Sequence, residues 1–218
     1  MPGAYIPGNG LTIGWKFLLK ETTVETGEKI TFGQYEWRVL DTKNDAALII
    51  TERIIEFRPY HSTYKEITWA DCSLRKYLNG EFYDKFAQAE KSRIISVTNK
   101  NFDNQWYGTK GGEDTEDRIF LLSLEEATCK YFGDSSSKLY NPGKNQRYWF
   151  ERKDENNSKR AYVGGWWWLR SPGRVGVKAV YVHGDGTIGI QGNNILKGNI
   201  GDGECKGGVR PALWLHIN

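Results

Sequence analysis

From Trp166 to Ile217 the chain is a succession of short apolar runs cut by glycines and single polar residues. That punctuation restricts this part to short strands joined by tight turns. Trp166–Arg170, Lys178–His183, Thr187–Gln191 and Val209–Ile217 read as strands, and Gly184-Asp185-Gly186 is a hairpin signal between two of them. In a strand, Trp167 faces opposite to Trp166 and Trp168, so at least one ring is expected in the core and at least one near the surface.

Upstream, Ile30–Leu40 reads as two strands around a turn near Gly33, with Tyr35, Trp37 and Val39 alternating with polar neighbours. Asp45–Thr51 fits a buried strand, and Asn44-Asp45 is a plausible hairpin turn. Thr68–Asn79 reads as a helix. Thr68 and Asp71 form a capping-box-like pair, Leu74, Tyr77 and Leu78 share a face, and Gly80 is the stop. A further helical piece spans 81–89, and strands are expected at Arg93–Val97 and Asp117–Leu122. Ser123-Leu124-Glu125-Glu126 opens a second capped helix ending near Gly133. Residues 134–165 are polar and read as a long irregular region. Strands at both ends with helices between give an α+β domain: short twisted antiparallel strands, two main helices and long irregular loops. It spans 28–218, after a Gly/Pro-rich arm or linker at 1–27.

Composition narrows the function classes. Lys and Arg are scattered among Asp and Glu at a net charge of +3, without the basic stripe of a nucleic-acid protein, so no nucleic-acid partner is expected. No apolar stretch approaches the ~20 residues of a membrane helix, and the opening residues lack the pattern of a secretory leader. Cys72, Cys129 and Cys205 are odd in number and far apart, which reads as free thiols and not a disulfide framework. The acidic run Glu113–Asp117 lacks the spacing of a calcium loop, so it reads as a solvated loop. His61, His183 and His216 are isolated, and no nucleophile elbow or phosphate loop is evident. No catalytic residue, metal site or cofactor is expected. Nine Trp, twelve Tyr and 25 Gly suit a loop-rich binding protein.

Two strings stand out: Trp167-Trp168-Leu169-Arg170-Ser171-Pro172-Gly173, and Gly208-Val209-Arg210-Pro211-Ala212-Leu213-Trp214-Leu215. With the hairpin between them, and with Ile30–Leu40 and Asp117–Ala127 upstream, they resemble a bacterial and phage family. That family lies in the formylglycine-generating-enzyme-like branch of the C-type lectin fold. The resemblance covers about residues 28–217 and implies a C-type lectin-like fold. Many members of this branch are variable proteins of diversity-generating retroelements, in which adenine-directed mutation varies a C-terminal binding surface. The resemblance therefore implies a ligand-binding, receptor-recognition domain, not an enzyme. Its partner would be a protein or carbohydrate, the domain itself would be displayed on a phage particle or bacterial cell surface, and a homo-oligomer stays open.

The variable face would comprise Arg174, Val175, Gly176, Val177, Tyr181, His183, Gly189, Ile190, Asn193, Asn194 and Asn199. The Arg, Val, Gly, His, Ile and Asn among these are residue types that mutated Asn codons of such a system yield, whereas Lys178, Lys197, Glu204 and Lys206 are not. Trp168, Leu169, Val209, Pro211 and Trp214 would belong to the scaffold, as would the inward-pointing Val182, Ile188 and Ile195. Two other readings compete. One is a copper-dependent thiol oxidase like the enzyme that names the branch, although no partner thiol for Cys205 is visible. The other is a structural particle component whose hairpin region makes only subunit contacts.

Overall fold

The structure is a computed structural model, and the residues it describes are 24–132, 163, 165–184, 186–196 and 207–217. Lys29–Phe32 (β1) and Tyr35–Lys43 (β2) form the hairpin expected around Gly33, with Ile30 opposite Trp37. Trp37 is fully buried, and its indole N–H donates to the Phe32 carbonyl at 2.8 Å, which closes the hairpin from inside. Asn44 then takes a left-handed conformation, φ 55°, and leads into Ala46–Thr51 (β3). Asn tolerates that region because its short side chain bonds locally.

All six residues of β3 are buried. The last strand, Ala212–His216 (β12), pairs antiparallel along β3, and on its other edge it pairs with Ile94–Ile95 (β5). The first sheet thus runs β1-β2-β3-β12-β5, with the end of the domain inserted between early strands.

The second sheet is built mostly from the C-terminal strands: Trp167–Pro172 (β8), Lys178–Val182 (β9), Ile188–Asn194 (β10) and Gly207–Val209 (β11), with Glu56–Arg58 (β4) at one edge. Its order is β10-β9-β8-β11-β4, and β11 lies parallel to β8. Val97–Asn99 (β6) and Thr115–Asp117 (β7) make a separate two-stranded ribbon. The architecture is mixed α+β, mostly sheet with a few short helices, and one core draws side chains from both large sheets. Trp37, Trp69, Trp167 and Trp168 are among its largest fully buried side chains. Each such ring contributes roughly 4–6 kcal/mol of burial as an upper bound.

Both faces of β8 are buried: Trp167 and Trp168 are core and Trp166 is partly exposed, in line with the expectation of at least one ring inside and at least one nearer the surface. Several elements differ from the sequence reading. The expected helix over Thr68–Asn79 is broken into a 3₁₀ turn at Trp69–Asp71, the helix Ser73–Tyr77 (α1) and a π-helical turn at Leu78–Phe82. Thr68 makes no capping bond; instead the Cys72 sulfur accepts the Arg75 amide at 3.3 Å. Asn79 sits where the helix widens. Its side chain bonds Arg75 O and Ile119 O and receives the Arg118 and Ile119 amides, and an inserted bridge of this kind widens a turn. Gly80 consequently lies inside the wide turn and does not end the helix. The piece expected over 81–89 resolves into a 3₁₀ turn at Tyr83–Lys85 and the short helix Gln88–Lys91 (α2).

Asp117–Leu122 is not a continuous strand. The run leaves β7 at Asp117 and threads the core, meeting β12 where Phe120 and Ala212 exchange bonds of 2.9 and 2.7 Å and β8 where Leu122 O accepts the Arg170 amide. The Ser123 box does form: Ser123 Oγ accepts the Glu126 amide at 3.1 Å, and Glu126 returns a bond to the Ser123 amide at 2.8 Å. The turns that follow are π-helical over Glu126–Tyr131.

Candidate ligand-binding face

The residues read from sequence as a face separate into three groups. Arg174 and Val175 are exposed, Val175 by 44%. Gly176, Val177, His183 and Asn194 are half-buried. Tyr181, Gly189, Ile190 and Asn193 are buried, and as outward-facing positions these four are corrected. Asn199 lies outside the described residues, as do Lys197, Glu204, Cys205 and Lys206. The physical reason is that the β9–β10 hairpin is covered where alternation suggested an open side. Tyr181 packs edge-on to Trp166 at 5.4 Å, and a Cβ on Gly189 would come within 2.2 Å of the Tyr181 ring. Gly189 is therefore a packing requirement, not a free position.

The turn between β8 and β9 is held by its main chain. Gly173 N donates to Lys178 O at 2.7 Å, and Lys178 N returns a bond to Val175 O at 2.9 Å. Arg174 N donates to Gln191 O at 2.8 Å, and Val177 O accepts the Ile195 amide at 3.2 Å. Two distant segments add bonds of their own. Thr109 Oγ1 donates to Arg174 O at 2.8 Å, and the Ile67 amide donates to Gly176 O at 3.0 Å. A Cβ on Gly176 would lie 2.9 Å from Cβ and Cγ of Glu66, so that position is filled by the neighbouring loop.

The turn 173–177 thus sits among segments 62–68 and 101–112, which carry the exposed rings of Tyr64 and Phe102. Asn104, 1% exposed, anchors the second segment: its amide nitrogen reaches Pro172 O at 2.7 Å and Ile190 O at 3.2 Å, while its oxygen accepts the Trp106 amide at 2.9 Å. Between the segments is a hollow of about 340 Å³ lined by Glu66, Ile67, Thr68, Asp71, Thr109, Lys110 and Gly176. Lys110 pairs with Asp103 at 2.7 Å; that bond raises the ammonium pKa and lowers the carboxyl. Sequence reasoning missed both flanking segments, because their proximity to the turn comes from pairings far apart in the chain. Tyr64 and Phe102, large rings in polar stretches, were the available signal.

The arginines of the two signature strings are structural. Arg170 is 3% exposed and forms a two-pronged pair with Glu126, Nη1 to Oε2 at 2.5 Å and Nη2 to Oε1 at 3.2 Å, with a further bond to Leu121 O. Burial pushes the Glu126 carboxyl up, but the Arg170 charge and bonds outweigh this and hold it below its ordinary value. Arg210 is fully buried against Trp167 and Phe132 and donates to Thr51 O at 2.7 Å. Its burial lowers the guanidinium pKa to about 9.

His61 lies at the other edge of segment 62–68. Its Nδ1 receives the Ser73 amide at 3.2 Å and lies 3.0 Å from Ser73 Oγ, while Nε2 is 3.1 Å from Thr63 Oγ1. An amide can only donate, so Nδ1 is the bare nitrogen and Nε2 carries the proton. Ser73 and His61 are not arranged as nucleophile and base, because that lone pair already serves the Ser73 amide and a hydroxyl, not a carboxylate, meets Nε2.

The acidic run is not the solvated loop expected from sequence, because Thr115–Asp117 pairs with β6 as strand β7 and turns Thr115 and Asp117 into the core. Asp114 pairs with Lys100, and Glu116 accepts from Thr98. Asp117 is buried, accepting from Trp69, Arg75, Asn99 and Thr115. Among the described residues no group of three or more His, Cys, Asp or Glu side chains could hold a metal ion. No helix among them is long and apolar enough to cross a membrane.

This is an α+β domain whose exposed turn is clamped by distant loops. The chain belongs to the DUF6273 family, a domain of unknown function, whose model matches residues 44–217. Neither curated proteins nor solved structures give a match.

Proposed function

We propose that this domain is a non-enzymatic ligand-binding module with a C-type lectin-like scaffold, of the kind found in variable proteins of diversity-generating retroelements. Its contact surface is centred on Arg174 and Val175 and flanked by Tyr64, Phe102 and the hollow beside Gly176. The ligand is a protein or carbohydrate, and the domain is displayed on a phage particle or bacterial cell surface. One observation carries the reading: the 173–178 turn is fixed by main-chain bonds, while the side chains at 174 and 175 project outward. Side chains there can change without loss of fold, which is what a variable contact surface requires. The rings of Tyr64 and Phe102, exposed on the two segments that bond the turn, would supply rigid apolar contact area.

Two of the thiols, Cys72 and Cys129, lack the character of a reactive cysteine, while Cys205 lies outside the described residues. Burial pushes the Cys72 thiol up to about 12 and raises Cys129, whereas reactive cysteines have lowered values.

The test applies the protein, the double variant Arg174→Ala/Val175→Ala and the double variant Tyr64→Ala/Phe102→Ala to arrays of glycans and bacterial surface proteins. Tm is measured in parallel. Wild-type binding that both variants lose at unchanged Tm is the expected result. Binding that survives both variants, or no binding by the wild type to either array, overturns the reading.

A further inference from the structure

We infer that His61 is a proton-sensitive latch that holds segment 61–68, one wall of the proposed face, against helix α1, and that protonating it releases that wall. The inference rests on the reading of that face given above. His61 ties three parts of the fold together: its own amide donates to Ile195 O, just beyond β10, at 3.1 Å; Nδ1 receives the amide of Ser73, the first residue of α1; and Nε2 meets Thr63 within the wall. Ser73 Oγ adds bonds to the Ser62 amide at 3.1 Å and to Ser62 Oγ at 2.9 Å. The same wall reaches the binding turn through the Ile67 amide and Gly176 O.

A proton on Nδ1 replaces its lone pair with a donor. The Ser73 amide then faces N–H instead of an acceptor, and two donors cannot bond one another. Imidazole is suited to such a change because its charge turns on near neutrality.

Among the described residues, the charged groups that act on His61 are Lys65 from the wall, Lys76 from α1 and Asp71 from the turn before it. The imidazole pKa is lowered from its ordinary 6.5, first by burial and then by the two lysines, against the opposing pull of Asp71. A depressed histidine means the unfolded or released state binds the proton more readily. The latch is therefore closed above the ordinary histidine value and opens as pH falls through the lowered one.

The experiment needs no ligand. Nitrogen NMR of the full chain reports the His61 tautomer and its titration. Amide hydrogen exchange, corrected for intrinsic rates, gives protection factors for Ser73 and Ile67 from about pH 7.5 to about pH 5. We expect the Nε2–H tautomer at the upper end and a loss of roughly tenfold or more in protection of both amides as His61 gains its proton. His61→Gln, whose side-chain carbonyl can accept the Ser73 amide and cannot be protonated, should show no such loss. Unchanged protection of either amide with His61 protonated, or the same loss in His61→Gln, overturns the latch. Because no ligand is involved, that failure leaves the array result for Arg174 and Val175 untouched, and the converse holds as well.

Discussion

Arg170 shows how one side chain can organise segments that the sequence keeps apart. It lies on β8, pairs with Glu126 at the start of the second helical segment, and satisfies the carbonyl of Leu121 in the threaded run before it. The Arg170 amide bonds Leu122 O at 2.9 Å, so main chain and side chain grip the same stretch. Removing one partner of a buried ion pair leaves the other charge uncompensated. Arg170→Ala should therefore cost about 3–5 kcal/mol in urea unfolding. Glu126 predicts the acid limb of stability. Its carboxyl is held below the ordinary value of 4.5, so its contribution is present above that pH and is lost as pH falls through the folded value. Tm followed downward from neutral pH should drop through this window, and Glu126→Gln should flatten that part of the curve. An unchanged acid limb in the variant would show that other carboxylates control it.

At the scale of elements, the contrast is between the 173–178 turn and the β9–β10 hairpin. Both looked variable in sequence, yet only the turn presents open side chains. Arg174→Ser and Val175→Ser should each change stability by no more than ~0.5 kcal/mol, as exposed positions usually do. Gly189→Ala should cost about 1–3 kcal/mol, since the new methyl must displace the Tyr181 ring from Trp166. Thermal unfolding of the three variants separates the two classes; equal effects would mean the hairpin is as open as the turn. The hairpins at Gly33 and Asn44 and the Ser123 box were legible because each is local chemistry within a few residues. The Thr68–Asn79 helix was misread because Asn79 bonds to a segment some forty positions away, and local propensity cannot register that partner.

For the molecule as a whole, the deciding feature is the place of β12. It lies between β3 and β5, so the first sheet is completed only when β12 is in position. Within β12, Leu213 and Leu215 are buried, whereas Trp214 is only half-buried. The scaffold assignment of Trp214 is adjusted accordingly: Leu213→Ala should cost about 2–5 kcal/mol, and Trp214→Ala, which removes a ring still partly in water, less than the about 3–5 kcal/mol of a core Trp. Urea midpoints in the opposite order would place the Trp214 ring in the core after all.

The sequence by itself determined the α+β class, the early hairpins, the strand character of the C-terminal part and the scaffold role of Trp168, Leu169, Val209 and Pro211. Those follow from period-2 alternation, turn chemistry and hydrophobicity, all expressed over a few neighbouring residues. The tertiary structure alone decided which glycine-flanked residues face outward, which loops stand beside them, and that Arg170 and Arg210 are buried. Side-chain alternation says that two faces differ, but what covers each face is set by segments that meet only when the chain is folded.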